Sequence, residues 1–394
     1  MKKLLLASVA SVMVAGVASA EDIKLGVSFG FTGPLESMSP NMLKSVEAAA
    51  KEVSDSGKLL DGSTVSIVQA DSTCTDAAAA VAAVERLVTA DGVKGIIGGM
   101  CSGETIASLE KVGVPNGMVM ISPSATSPAL TDIDDKGFFF RTSPSDARQG
   151  DVMADITLEH GIKSVAVTYT NNDYGKGLAD SFVKAYEGKG GKVTMNAAHD
   201  DGKADYSAEV AALAAAGGDA LVVAGYVDQG GSGIVQGALD SGAFSTFVFP
   251  DGMISQVLVD KFGNQLETSF GQNPSADGEG HDKFDAIAKA GGFDGTSAFA
   301  GESYDAAAMI LLAMEAAKSS DPKVYKDKIM EIANAPGEKI YPGELAKGLE
   351  LLAAGTDIDY VGATSVEMLE PGETAGVYRE VDFKGGKMNV IKFR

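Results

Sequence analysis

The chain has 394 residues, with 54 acidic side chains against 32 basic ones, a formal net charge of −22, two cysteines and three histidines. That length suits two domains of about 100–200 residues each. No basic cluster is present to track phosphates, which excludes nucleic acid as a partner, and the acidity reads as a solvated surface rather than a cation site.

In chain order, Met1-Lys2-Lys3, an apolar stretch from Leu4 to Val17 and Ala18-Ser19-Ala20 have the three parts of an export signal, with cleavage expected after Ala20. The apolar part falls short of the about 20 strongly apolar residues that a span needs. With no Cys at the cleavage junction, the expected location is free in a periplasm. In that oxidising compartment Cys74 and Cys101, the only cysteines, are expected to form a disulfide, worth about 3–4 kcal/mol by loop-closure entropy.

From Ile23 onward apolar β-rich runs alternate with helical patterns. Strands are expected at Ile23–Phe31, Thr64–Asp71 and Val93–Gly99, and helices at Asn41–Val53 and Asp76–Ala90, the latter with Asp76 as N-cap and Gly92 beyond its end. The alternation restarts after Arg141 with helices Gln149–His160, Gly177–Tyr186 and Ser207–Ala216. Strands Ser164–Thr170, Lys192–Asn196, Ala220–Gly225 and Thr246–Phe249 separate and follow them. The helical stretches Asp282–Ala290 and Ser303–Lys318 are expected to cover the first unit, and the strand-like pieces Val377–Phe383 and Met388–Phe393 to return to the second. The fold class is therefore α/β, two Rossmann-like lobes joined by three chain crossings. Residues 21–143 and 274–358 are expected in lobe 1, and 144–273 and 359–394 in lobe 2.

Gly, Pro, Ser, Asn and Tyr collect just after the expected strands, at Phe31-Thr32-Gly33-Pro34, Gly99-Met100-Cys101-Ser102-Gly103, Ser122-Pro123-Ser124-Ala125-Thr126, Asn171-Asn172-Asp173-Tyr174-Gly175, Tyr226 and Pro250-Asp251-Gly252. Singly these are ordinary turns. Together, three from each lobe, they mark a cleft outside the carboxyl ends of the strands. Hydroxyl donors from Ser102, Ser124 and Thr126 suit a carboxylate, while Asp251 with Tyr174 and Tyr226 suits an ammonium, so the expected ligand is a zwitterion. His160, His199 and His281 lie far apart in sequence without metal-ligand spacing. Neither a nucleophile elbow nor a dinucleotide or phosphate-binding loop is found, so no enzyme, metal or cofactor is expected.

These residues resemble a known family, the periplasmic branched-chain amino acid binding proteins of ABC transporters, type I periplasmic binding proteins. The likeness is carried by Ile23-Lys24-Leu25-Gly26, Cys74 with Asp76, Gly98-Gly99-Met100-Cys101-Ser102, Ser122 to Pro128, Phe140-Arg141-Thr142, Asp173-Tyr174-Gly175-Lys176-Gly177, Gly225-Tyr226 and Tyr304-Asp305-Ala306-Ala307. The resemblance implies a monomer that delivers an amino acid to a membrane permease. It gives Ser102, Ser124 and Thr126 to the ligand carboxylate, with Ala125 between the last two also at the ligand, Tyr174, Tyr226 and Asp251 to the ammonium end, and Met38, Met100 and Phe299 to the side-chain pocket. Asp251 stands where the family often has the longer Glu, and Met38 where it often has Tyr. Glu36, Glu104 and Glu302 are expected as surface or rim charges.

Overall fold

The computed structural model describes residues 20–394, so the export signal lies outside the described residues. Among the described residues no helix is long and apolar enough to cross a membrane.

The chain lays down β1 (Asp22–Phe29), β2 (Thr64–Asp71), β3 (Ile96–Gly98), β4 (Met120–Ser122) and β5 (Phe139–Arg141), then β6 (Ser164–Thr170), β7 (Lys192–His199), β8 (Ala220–Ala224), β9 (Phe247–Phe249) and β10 (Phe270–Pro274). There follow β11 (Glu338–Ile340), β12 (Ile358–Tyr360), β13 (Met368–Leu369), β14 (Glu373–Thr374), β15 (Tyr378–Asp382) and β16 (Asn389–Phe393). One sheet runs β13-β14-β5-β4-β3-β1-β2, a second β16-β15-β10-β9-β8-β6-β7, and β11 pairs with β12. In each large sheet the core strands are parallel, as in β1 with β2 and β3 and in β6 with β7 and β8. Helices on both faces bury these strands, which explains why β8 is apolar throughout instead of alternating. The Ala300–Ala317 helix is apolar on nearly every side and packs against Ser39–Ser56 in the first lobe, as its sequence predicts.

Asp76 caps the Ala77–Arg86 helix by accepting from the N–H groups of Ala78 and Ala79, and Gly92 ends its continuation with φ 69°. Cys74 and Cys101 are joined, with Cα atoms 5.2 Å apart, tying the start of that helix to the loop after β3. Thiol titration of the denatured, unreduced protein is expected to find no free thiol; two per chain would contradict the bridge.

The chain crosses between lobes after β5, after β10 and between β14 and β15. The last crossing falls later than the sequence suggests, because β13 and β14 belong to the first sheet, whereas residues 359–374 had been expected in lobe 2. Glu373 pairs with Arg141 in the register of β14 with β5, and its carboxylate meets the buried Arg141 guanidinium at 2.5 Å, holding this segment to the first lobe.

Candidate functional site

The loops that follow β1, β3 and β4 face those that follow β6, β8 and β9, and the lobes are closed on one another. Across the gap the Asp228 carboxylate accepts from the Ser37 N–H at 2.9 Å, and the Asp228 N–H donates to the Pro34 carbonyl at 3.1 Å. Between the lobes lies a cavity of about 10 Å³, walled by Leu35, Met100, Ser102 and Ser124 from around the first sheet, Tyr174, Tyr226, Asp251 and Gly252 from the second, and Phe299. Such a volume holds about one water-sized sphere, too little for a solute of amino-acid size with the lobes this close. Phe299, at φ 64° in the left-handed region, precedes the Ala300–Ala317 helix and projects onto this wall.

Met38, Ala125 and Thr126 are buried but stand off the wall. Met38 packs in the hydrophobic core, and Leu35, a residue the sequence reading passed over, takes the wall position. The hydroxyls differ in what they have left to offer. Ser124 donates to the Met100 carbonyl at 2.8 Å, so its proton is committed and its lone pairs remain. Ser102 accepts from the Ser127 N–H at 3.0 Å and keeps its own proton to donate. Thr126 Oγ1 is buried without a hydrogen-bond partner among the described residues. The Arg141 guanidinium fixes this loop by donating to the carbonyls of Ala125 and Ser127 at 3.1 and 3.0 Å.

On the opposite side, Asp251 Oδ1 accepts from the Tyr174 hydroxyl at 2.6 Å and from the Gly252 N–H at 2.7 Å, while Oδ2 is buried without a hydrogen-bond partner among the described residues, the Gln149 side chain being near enough to favour the charged form. Burial raises its pKa. The Tyr174 and Tyr226 rings stack with centroids 5.1 Å apart. Sequence reasoning missed Asp146, which opens the Asp146–Glu159 helix just past the first crossing. It is fully buried, its carboxylate oxygens have no hydrogen-bond partner that meets full geometry among the described residues, with the Thr126 hydroxyl nearby, and burial together with the charge of Asp251 pushes its pKa well up. Asp146 and Asp251 thus form an acidic pair, and the buried Arg141 charge, itself paired with Glu373, draws the Asp146 pKa only part of the way back.

Of the three glutamates expected at the surface, Glu36 is exposed, but Glu104 and Glu302 are buried. Glu104 accepts from the N–H groups of Met100 and Cys101 through Oε1, closing the turn before the Ser102–Ser108 helix. Burial raises its pKa to about 7. Glu302 sits in the first turn of the Ala300–Ala317 helix, where burial raises its pKa to about 8 and the Arg379 charge opposes that rise. The histidines have structural partners where they are buried or paired: His160 with Glu380 at 2.9 Å, and His199 with Thr168 at 2.8 Å.

Two α/β lobes closed over a small cavity, with the hydroxyls of Ser102 and Ser124 on one wall and the Asp251 carboxylate on the other, define a solute-binding protein of the two-lobed type. The chain belongs to the periplasmic binding protein family, whose profile matches residues 22–333. It is 31% identical over 347 residues to a Leu/Ile/Val-binding protein homolog 1 of Brucella melitensis, covering 86% of this chain and 89% of that one. An amino acid binding protein of Pseudomonas aeruginosa is 27% identical over 327 residues, 82% of this chain and 86% of that one. In fold, the chain is similar to the branched-chain amino acid transporter substrate binding protein LivJ of Streptococcus pneumoniae in complex with isoleucine. The TM-score is 0.77 at 22% identity, with 94% of this chain and 99% of that one covered.

Proposed function

We propose that this protein binds a free amino acid, branched-chain or otherwise neutral and aliphatic, in a periplasm and delivers it to the membrane permease of an ABC importer, without chemical conversion. The observation that carries the reading is the buried Asp251 oxygen without a partner, facing Ser102 across the cavity. A buried carboxylate is costly unless a cation meets it, and a ligand ammonium is that cation. Asp146 adds a second acidic group next to Asp251, and Ser102 donates to the ligand carboxylate. The Leu/Ile/Val-binding relative and the isoleucine complex of the similar fold support an aliphatic side chain lying against Leu35, Met100 and Phe299. The residue roles, export with cleavage after Ala20 and a monomeric state belong to the same proposal.

A thermal-shift comparison of L-leucine, L-isoleucine and L-valine with N-acetyl-L-leucine tests it. A ligand that binds only the folded state stabilises by RT ln(1 + [L]/Kd), about 2.7 kcal/mol at 100 Kd. At least one free amino acid is expected to raise Tm and the acetylated compound to leave it unchanged. Equal shifts from both would show that no ammonium is recognised, and no shift from any amino acid would remove the reading.

A further inference from the structure

Beside the inner cavity, a second and larger chamber of about 450 Å³ opens between the lobes. Its first-lobe wall is Cys74, Thr75, Ala77, Gly103 and Glu104, and its second-lobe wall runs from Thr170 to Asp173 with Asp200, Asp201 and Gln229. Four of these side chains are carboxylates and none is Lys or Arg. Asp173 and Asp200 are exposed at the mouth. Glu104 is only 2% exposed, and its Oε2 has no hydrogen-bond partner that meets full geometry among the described residues, the buried Ser72 hydroxyl being the nearby group that favours its charged form. Its other oxygen is held by Met100 and Cys101, which fixes the carboxylate in place.

The two cavities adjoin. Asn172, on the chamber wall, donates to the hydroxyl of Tyr226, on the wall of the inner cavity, at 3.3 Å. On the first-lobe side Glu104 follows Ser102 by one residue, Gly103, and a Cβ at Gly103 would come within 2.8 Å of an Asp173 oxygen. Ser102 faces inward and Gly103 lines the chamber, so the backbone between the two spaces is one residue thick here. Since each wall comes from a different lobe, the chamber exists only when the lobes close, and closure brings Glu104 up to the three carboxylates already grouped on the second lobe. Like charges brought together in this way repel, and a cation between them removes the repulsion.

We propose that this chamber is a second ligand subsite, which receives the cationic end of a longer solute whose amino-acid head is held in the inner cavity. The cleft would then take amino acids with a terminal ammonium or guanidinium as well as neutral ones, the Asn172–Tyr226 contact parting to let the chain through. This rests on the proposed amino-acid binding and extends its range of side chains. Asp173 and Asp200 meet the cation from the second lobe and Glu104 from the first.

Calorimetry with L-lysine, L-arginine and L-leucine tests it, on the parent and on the Asp173→Asn/Asp200→Asn double variant, which changes two exposed side chains and leaves the inner site alone. The parent is expected to bind lysine or arginine in competition with leucine. In the double variant the Kd for the basic amino acid should rise about tenfold, equivalent to 1.4 kcal/mol, and that for leucine by less than about twofold. Leucine binding without lysine or arginine binding would overturn the subsite and leave the amino-acid reading standing. Equal weakening of both ligands, or of neither, would also overturn it. Failure of all three to bind would overturn the amino-acid reading and the subsite with it.

Discussion

Asp251→Asn is expected to raise the Kd for the best amino-acid ligand by about two to four decades, the equivalent of roughly 3–5 kcal/mol for breaking a buried charge pair. The carboxylate is held by Tyr174 and Gly252 on one oxygen only, and its other oxygen has no protein partner among the described residues. Asn is a cleaner test than Ala because its carbonyl still accepts from the Tyr174 hydroxyl and the Gly252 N–H. Asp251→Ala leaves those buried donors unpaired, at a cost of about 1–3 kcal/mol each. Against that cost, either change removes the Asp251 charge that acts unfavourably on Asp146. The ligand-free Asn variant is therefore expected to match or exceed the parent in Tm. Ser102→Ala removes the donor proposed for the ligand carboxylate, worth roughly 1.5–3 kcal/mol, and should cost less than Asp251→Asn. Calorimetry on both variants decides the order. Parent-like affinity in Asp251→Asn would mean that the ammonium is bound elsewhere, with Asp146 the first place to look.

Why the acidic pair was only half legible follows from where its members lie. Asp251 sits in a Pro-Asp-Gly turn after a strand, a position that the open-sheet rule marks as facing the cleft. Asp146 lies in Ser143-Pro144-Ser145-Asp146, which reads as an ordinary helix start, and Ser145 does cap that helix by accepting from the Ala147 N–H. What brings Asp146 to Asp251 is the crossing between lobes, a tertiary relation with no local pattern. Glu104 did carry a local signal: a Glu two residues into the short helix after Cys101 suits a turn-closing acceptor. It was outweighed by the acidity of the chain, which makes any single Glu look like surface.

The long strands and helices were readable because their periodicity extends over many residues. Thr64–Asp71, Ser164–Thr170 and Ser207–Ala216 fall where the sequence places them. Three-residue strands such as Met120–Ser122 and Phe139–Arg141 are too short to establish a period, and only their neighbours in the sheet define them. The Gly230–Ser241 helix was hidden by its glycines, which propensity reads as loop. A Cβ at Gly233 would lie 2.4 Å from the Tyr206 ring, so close packing rather than flexibility explains that glycine. The final crossing was misplaced for a related reason. Two-residue strands at Met368–Leu369 and Glu373–Thr374 have no pattern of their own, and the Arg141–Glu373 pair that anchors them joins residues far apart in sequence.

Glu302 gives the second large effect, on stability rather than binding. Its carboxyl has a pKa of about 8 in the folded protein against 4.5 as a free side chain, mainly because burial disfavours the charge. Between those values the folded state holds a proton that the unfolded state has released, so stability falls as pH rises, by about 1.4 kcal/mol per pH unit for this one group. Below pH 4.5 both states are protonated and the penalty is absent; above about 8 both are ionised and it is complete, on the order of 5 kcal/mol. Glu104, raised to about 7, acts in the same direction over a narrower window. Glu302→Gln keeps the shape and removes the ionisation. Urea unfolding of the ligand-free protein at pH 5, 7 and 9 is expected to show the parent losing stability toward high pH and the variant losing distinctly less. At pH 9 the variant should be the more stable, and at pH 5 the two should lie close together. Parallel pH profiles would mean that Glu302 meets a cation in solution, with Arg379 the nearest candidate because its guanidinium already lowers the Glu302 pKa from across the hinge.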